Sequence, residues 1–197
     1  MASKLMLRRA VLTVAALNLG YFAIESSVAL LIDSVALLAD SIDFLEDASV
    51  NLLIALALLL SWTPLQRARL GQFLALLLLA PALATLWMAW HKFQAPHPPD
   101  ALLLGSVGFG ALLVNSTCAV LLARVRRQGG SLTRAAWLSA RNDALANVAI
   151  IIAAPVTRAT GSGWPDLLVG LAIAALNADA AKEVWQAARQ EERRAQA

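Results

Sequence analysis

Polar interruptions divide an otherwise apolar chain into six stretches. They run roughly from Ala10 to Leu31, Val35 to Trp62, Leu70 to Ala89, Ala101 to Ala123, Ala135 to Val156 and Leu167 to Ala187. Each is near or above the ~20 residues that a membrane-spanning helix needs. The pattern predicts an all-α integral membrane protein of six transmembrane helices, a single domain over residues 1–197 with no soluble C-terminal domain. The first stretch does not read as a cleavable signal, because it is too long and runs into the second without an Ala-x-Ala site.

The second stretch breaks the apolar pattern from within. Asp40, Asp43 and Asp47 are spaced i, i+3 and i+7, and Asn51 follows. At 100° per residue, the four side chains fall within one helical arc of about 80°. Each carboxylate at the bilayer centre costs roughly 2.5–3.5 kcal/mol even on the lenient insertion scale. A chain that repeats this cost on one face needs those groups for a cation, a proton or both. Asp40 lies nearer the outer end and reads as a helix cap or as part of an entry path. Glu46 sits about 100° from Asp47, toward a neighbouring helix or an aqueous cleft.

Composition agrees with the membrane reading. Hydrophobic residues make up 59% of the chain and charged residues 15%, against about 45–50% and about 25% in soluble domains. Mean hydropathy is +0.66. Lys and Arg sort with both termini inside. Thirteen fall on inner segments (among them Arg8, Arg9, Arg67, Arg124, Arg127 and Arg189), only Lys92 and Arg158 fall on outer loops, and Arg141 lies within the fifth stretch. The positive-inside rule predicts such a split. It also accounts for the pI near 9.6 by a basic rim facing anionic membrane lipid, with no nucleic-acid partner. The expected location is the plasma membrane, as a multi-pass protein of a bacterial inner membrane. The single cysteine, Cys118, cannot form an internal disulfide and reads as a small packing residue.

Two other stretches carry polar groups at depth. In the fifth, Ser139, Asp143 and Asn147 are spaced four apart on one face, with Asn142 about 100° round from Asp143. Arg141 points about 160° away from Asp143, so it must snorkel to the inner surface or pair with Glu25 or Glu46. In the first, Asn18, Tyr21, Phe22 and Glu25 share a face, which suits a cavity lining or interhelical hydrogen bonding equally. Two carboxylates on one helix and a third on another can assemble a tetrahedral or octahedral oxygen site for a divalent cation. A purely structural network would need bases, and Arg141 is the only base in view against three to four acids.

The connectors are more ordinary. Prolines set His91–Asp100 as extended chain, where His91 and His97 read as solvated interface residues rather than ligands, beside Trp87 and Trp90 as interfacial anchors. Pro165 and Asp166 open the last helix, and Asp166 reads as a helix-start residue.

The stretch Ser34-Val-Ala-Leu-Leu-Ala-Asp-Ser-Ile-Asp-Phe-Leu-Glu-Asp47 resembles the second-helix signature of the cation diffusion facilitator family. There an Asp or His and an Asp four residues later bind the transported metal. Ala136-Trp-Leu-Ser-Ala-Arg-Asn-Asp-Ala-Leu-Ala-Asn147 resembles the fifth-helix signature, where a His-x-x-x-Asp pair completes the site. The resemblance implies Asp43, Asp47 and Asp143 as metal ligands. Ser139 stands where zinc-transporting relatives usually have His, so Asn142 or a water would complete the shell. An all-oxygen site weakens zinc selectivity, leaving zinc as the first expected cargo and cadmium, cobalt, manganese or iron(II) as alternatives. The resemblance is to a short branch without the cytoplasmic metallochaperone-like domain, and it leaves a homodimer open.

The implied activity is divalent cation efflux by alternating access, driven by proton entry, with no prosthetic cofactor and no enzymatic step. Cation and proton then compete for the same carboxylate oxygens. The rival from another class is a metal-dependent membrane enzyme of the CDP-alcohol phosphotransferase type. Its Asp-Gly-x-x-Ala-Arg string does not occur in the chain.

Overall fold

The computed structural model describes residues 2–59, 83–125 and 130–176. The inner segment at Arg67 and Arg69, the first part of the third apolar stretch, Trp62, Trp185 and the basic positions beyond 176 lie outside the described residues. Six helices occur among those described. They are α1 (Ala2–Ile32), α2 (Val35–Leu59), α3 (83–94), α4 (Ala101–Val125), α5 (Gly130–Thr160) and α6 (Trp164–Leu176). No strand occurs among the described residues. Three helices are long and apolar enough to cross a membrane, within Leu5–Ile32, Ala101–Val125 and Ser139–Thr160. Helix α2 is also long enough, but Asp43, Glu46 and Asp47 fall in every 18-residue window of it and keep it outside that test.

Local chemistry fixes where the helices stop. The first helix ends at Asp33, whose φ of 54° is left-handed, and Ser34 N–H donates back to the Ala29 carbonyl at 2.9 Å. This is the six-to-one bond of a Schellman ending, made by an Asp where glycine is usual. Ser34 then caps α2, its Oγ accepting from Leu37 N–H at 3.1 Å. A junction of two residues therefore separates α1 from α2. Asp100 caps α4 in the same manner, with Oδ1 2.9 Å from the amides of both Leu102 and Leu103. Helix α5 carries Pro155 inside it, which removes one bond to the preceding turn. It ends at Gly161, whose φ of 61° is open to glycine without strain.

Two boundaries differ from the sequence reading. The first helix begins at Ala2 rather than Ala10, because the residues around Lys4, Arg8 and Arg9 are good helix formers that continue the helix beyond its apolar part. Helix α3 runs through His91, Lys92, Phe93 and Gln94 before Pro96 stops it, so only residues 95–100 are extended. His91 packs edge-on against Trp87 with ring centroids 4.6 Å apart, the expected helical i, i+4 neighbour.

Helices α1, α2, α5 and α4 form a closed ring, each packed on the next, with α2 and α4 barely meeting across it. Apolar residues fill the ring at two levels. One plug joins Leu7, Val11, Val14, Ile54, Cys118, Leu122 and Ala140. The other joins Ala29, Leu37, Leu38, Leu104, Ile150 and Ala154. Between them the ring is polar. Asn18, Glu25, Asp40, Asp43, Asp47, Asn51, Asn115 and Asn147 are all buried. Residues 34–44 are buried without a break, as expected of a helix enclosed on every side.

Candidate cation site

The acidic stripe of α2 faces the ring interior, and α5 meets it there. Asp143 of α5 lies within electrostatic range of Asp43, as do Asp40, Glu46 and Asp47. Ser139 lies between the two helices' acids, donating from Oγ to Asp143 Oδ2 at 3.5 Å and standing beside Asp47. Asn18 of α1 also lies beside Asp47 and accepts from Cys118 Sγ at 3.6 Å. Cys118 is buried and free, a packing residue as its sequence context suggests. The structure thus gathers Asp43, Asp47, Asp143 and Ser139 at the α2–α5 interface.

It does not gather Asn142. That side chain is exposed, and its Oδ1 accepts from Arg141 at 3.1 Å. Arg141 also lies over the Trp137 ring, 5.5 Å from its centroid. The helical wheel correctly turns Arg141 away from the stripe, but its partners are its own neighbours on α5, not Glu25 or Glu46. Among the described residues, no three Asp, Glu, His or Cys side chains form a ready-made ligand group. Asp43 and Asp47 are one helical turn apart on the same face, with Cβ atoms ~5–6 Å apart, a spacing from which two carboxylates can reach one ion.

A second polar group lies one turn along α2. Asp40 does not cap the helix. Its Oδ2 accepts from Asn147 Nδ2 at 2.5 Å, and Asn147 Oδ1 accepts from Asn115 Nδ2 at 3.0 Å. Glu25 lies against Asp40 from α1, fully buried, with neither carboxylate oxygen reaching a donor. Asp40 Oδ1 and Asp47 Oδ2 also lack donors. Asn115 is absent from the sequence reading, although a lone Asn inside the apolar fourth stretch is the signal that marks it.

Buried carboxylates without donors are costly, and the base that could relieve them is elsewhere. The ion pair among the described residues joins Lys92 to Asp166, remote in sequence from the stripe. This corrects two expectations. Lys92 is buried near the end of α3 rather than carried on an exposed loop. Asp166 does sit in the first turn of α6, but its carboxylate serves α2, accepting from the amides of Val35 at 3.0 Å and Ala36 at 3.3 Å.

A search of curated proteins finds no match. The family model of the cation efflux transmembrane domain matches residues 11–188 and so takes in every residue of both polar groups. The chain therefore belongs to the cation efflux transmembrane domain family, as a multi-pass membrane transporter of cations.

Proposed function

We propose that the chain exports a divalent cation, zinc first among the candidates, in exchange for protons, with Asp43, Asp47, Asp143 and Ser139 as the ligands. The observation that carries this reading is the Ser139 hydroxyl between Asp47 of α2 and Asp143 of α5, with Asp43 in range of the same acids. Carboxylates from two packed helices meet at one level, inside a ring that is apolar above and below. A dehydrated divalent cation supplies the partner that Asp47 Oδ2 lacks, and protons replace the cation when it leaves. The two occupants exclude each other because they use the same oxygens, which couples their flows. Alternating access follows if α2 and α5 shift as rigid units about the site.

The test is uptake into inside-out vesicles across a panel of zinc, cadmium, cobalt, manganese and iron(II), with and without an imposed pH gradient. Uptake that grows with the gradient supports exchange. Uptake indifferent to the gradient removes the proton from the mechanism, and no uptake of any cation removes the site. Ser139→His sharpens the test. An imidazole in place of a hydroxyl favours zinc over manganese. The variant is expected to shift that preference by at least about tenfold, equivalent to ~1.4 kcal/mol. An unchanged preference would mean that position 139 is not a ligand.

A further inference from the structure

Each oxygen of Asp166 accepts two hydrogen bonds, and three of the four come from the start of α2. Oδ1 accepts from Ser34 Oγ at 2.5 Å and Ala36 N–H at 3.3 Å. Oδ2 accepts from Val35 N–H at 3.0 Å and Lys92 Nζ at 2.8 Å. Lys92 also donates to the Asp33 carbonyl at the end of α1. With Ser34 Oγ on Leu37 N–H, every orphan amide in the first turn of α2 has an acceptor. Two of these acceptors are carboxylate oxygens at the positive end of the helix dipole. Both charged side chains are 0% exposed. A buried ion pair holds only when its remaining hydrogen-bonding capacity is met, and here it is met by α2.

The backbone closes the same contact. A Cβ placed on Gly170 of α6 would lie 2.6 Å from the Val35 carbonyl carbon and 2.7 Å from Ala36 N. The absence of a side chain there lets α6 lie directly on the first turn of α2. Helix α3 through Lys92 and α6 through Asp166 and Gly170 thus hold the end of the helix that carries the acidic stripe. A helix gripped at its first turn cannot roll freely. A roll by one residue would carry the stripe about 100° away from α5.

We infer that Asp166, held by Lys92, is a positioning residue for the cation site, fixing the rotation and depth of α2 so that Asp43 and Asp47 face Asp143. This rests on the reading of those three acids as ligands. Asp166 touches none of them and acts through the α2 backbone. When it is lost, α2 samples rotations in which the ligands are apart, and apparent affinity falls by the fraction of time the site is assembled. Bound cation still draws the site together, so the rate at saturation is retained.

The experiment uses the full chain in vesicles, with two variants. Asp166→Asn removes the charge, and the double variant Lys92→Met/Asp166→Asn also removes the base, so no unpaired charge is left buried. The double variant keeps the test valid if the single one fails to insert. The half-saturating concentration of the best transported cation is expected to rise at least about tenfold in the double variant, with the maximal rate per inserted protein within about threefold of native. A half-saturation within twofold of native overturns the inference. So does a loss confined to the maximal rate, which is what damage to folding alone would produce.

A second readout needs no transport. In a Cys118→Ala background, Ser41→Cys puts a near-isosteric thiol on a fully buried position of α2. Its labelling by a membrane-impermeant maleimide is expected to speed up about tenfold in the double variant, as the helix end loosens. If even the native chain moves no cation, the reading of the ligands fails, while labelling still decides separately whether Asp166 and Lys92 fix α2. Faster labelling then sustains the hold on α2, and unchanged labelling overturns it.

Discussion

Replacing Asp47 or Asp143 with alanine is expected to abolish cation transport while leaving an inserted, folded protein. Each substitution removes one of the three carboxylates drawn from two helices, and Glu46 and Asp40, the other acids in electrostatic range, lie off the ligand set. The effect on rate is expected to be at least about a hundredfold, because loss of a charged ligand exceeds the ~2.7 kcal/mol that corresponds to two decades. Stability moves the other way or little, since the buried carboxylate carries an unmet cost. Asp47 Oδ2 has no donor, so alanine there removes a penalty of about 1–3 kcal/mol. Efflux at the native level from either variant in vesicles, at equal insertion, would reject the ligand assignment. Asn142→Ala is the natural control, since that side chain is exposed and bonded to Arg141.

Gly170→Ala is expected to be strongly destabilising. Its Cβ would meet the backbone of Val35 and Ala36 at 2.6–2.7 Å, and backbone cannot swing aside as the end of a side chain can. Overpacking of this kind costs about 1–3 kcal/mol. Pushing α6 away also lifts Asp166 from the α2 amides, and breaking a buried ion pair costs roughly 3–5 kcal/mol more. Thermal unfolding in detergent should show a large loss or no folded protein at all. Gly20→Ala is the contrasting case, with nothing within 4 Å of the added methyl. There the gain in helix propensity, about 0.5–1 kcal/mol, should leave stability equal or higher. Similar melting of the two variants would mean that α6 does not sit on α2 as described.

The acidic stripe was legible because periodicity is a local property. Asp40, Asp43, Asp47 and Asn51 lie on one side of a helix whatever surrounds it, and Ser139, Asp143 and Asn147 do the same on α5. Their meeting resists derivation from spacing, since it depends on which helices are neighbours in the ring. The family resemblance supplied that pairing. Lys92 and Asp166 mark the limit more sharply. Charge counting places Lys92 outside, and local rules make Asp166 a helix-start residue, yet the two meet across 74 positions to hold the start of a third helix. Local rules place Asp166 correctly in the first turn of its own helix. They cannot tell that a different helix N-terminus lies closer to its carboxylate. Asn142 fails for the opposite reason. Its nearest partner, Arg141, is adjacent in sequence, and a hydrogen bond between neighbours outcompetes a more distant role.

The two-residue junction at Asp33 and Ser34 makes α1 and α2 a single unit of biogenesis. Helix α2 is a poor candidate for entering lipid by itself, because Asp40, Asp43, Glu46 and Asp47 together cost on the order of 10 kcal/mol at membrane depth. Helix α1 brings Asn18 and Glu25 to the same level, so each helix offers the other a polar face that neither could turn to hydrocarbon. With a junction of only two residues, α2 can fold back onto α1 as soon as it is made, so the two are expected to enter the membrane as a hairpin. Lengthening this junction would delay that pairing and expose the stripe to degradation during synthesis, even though the finished ring would be unchanged.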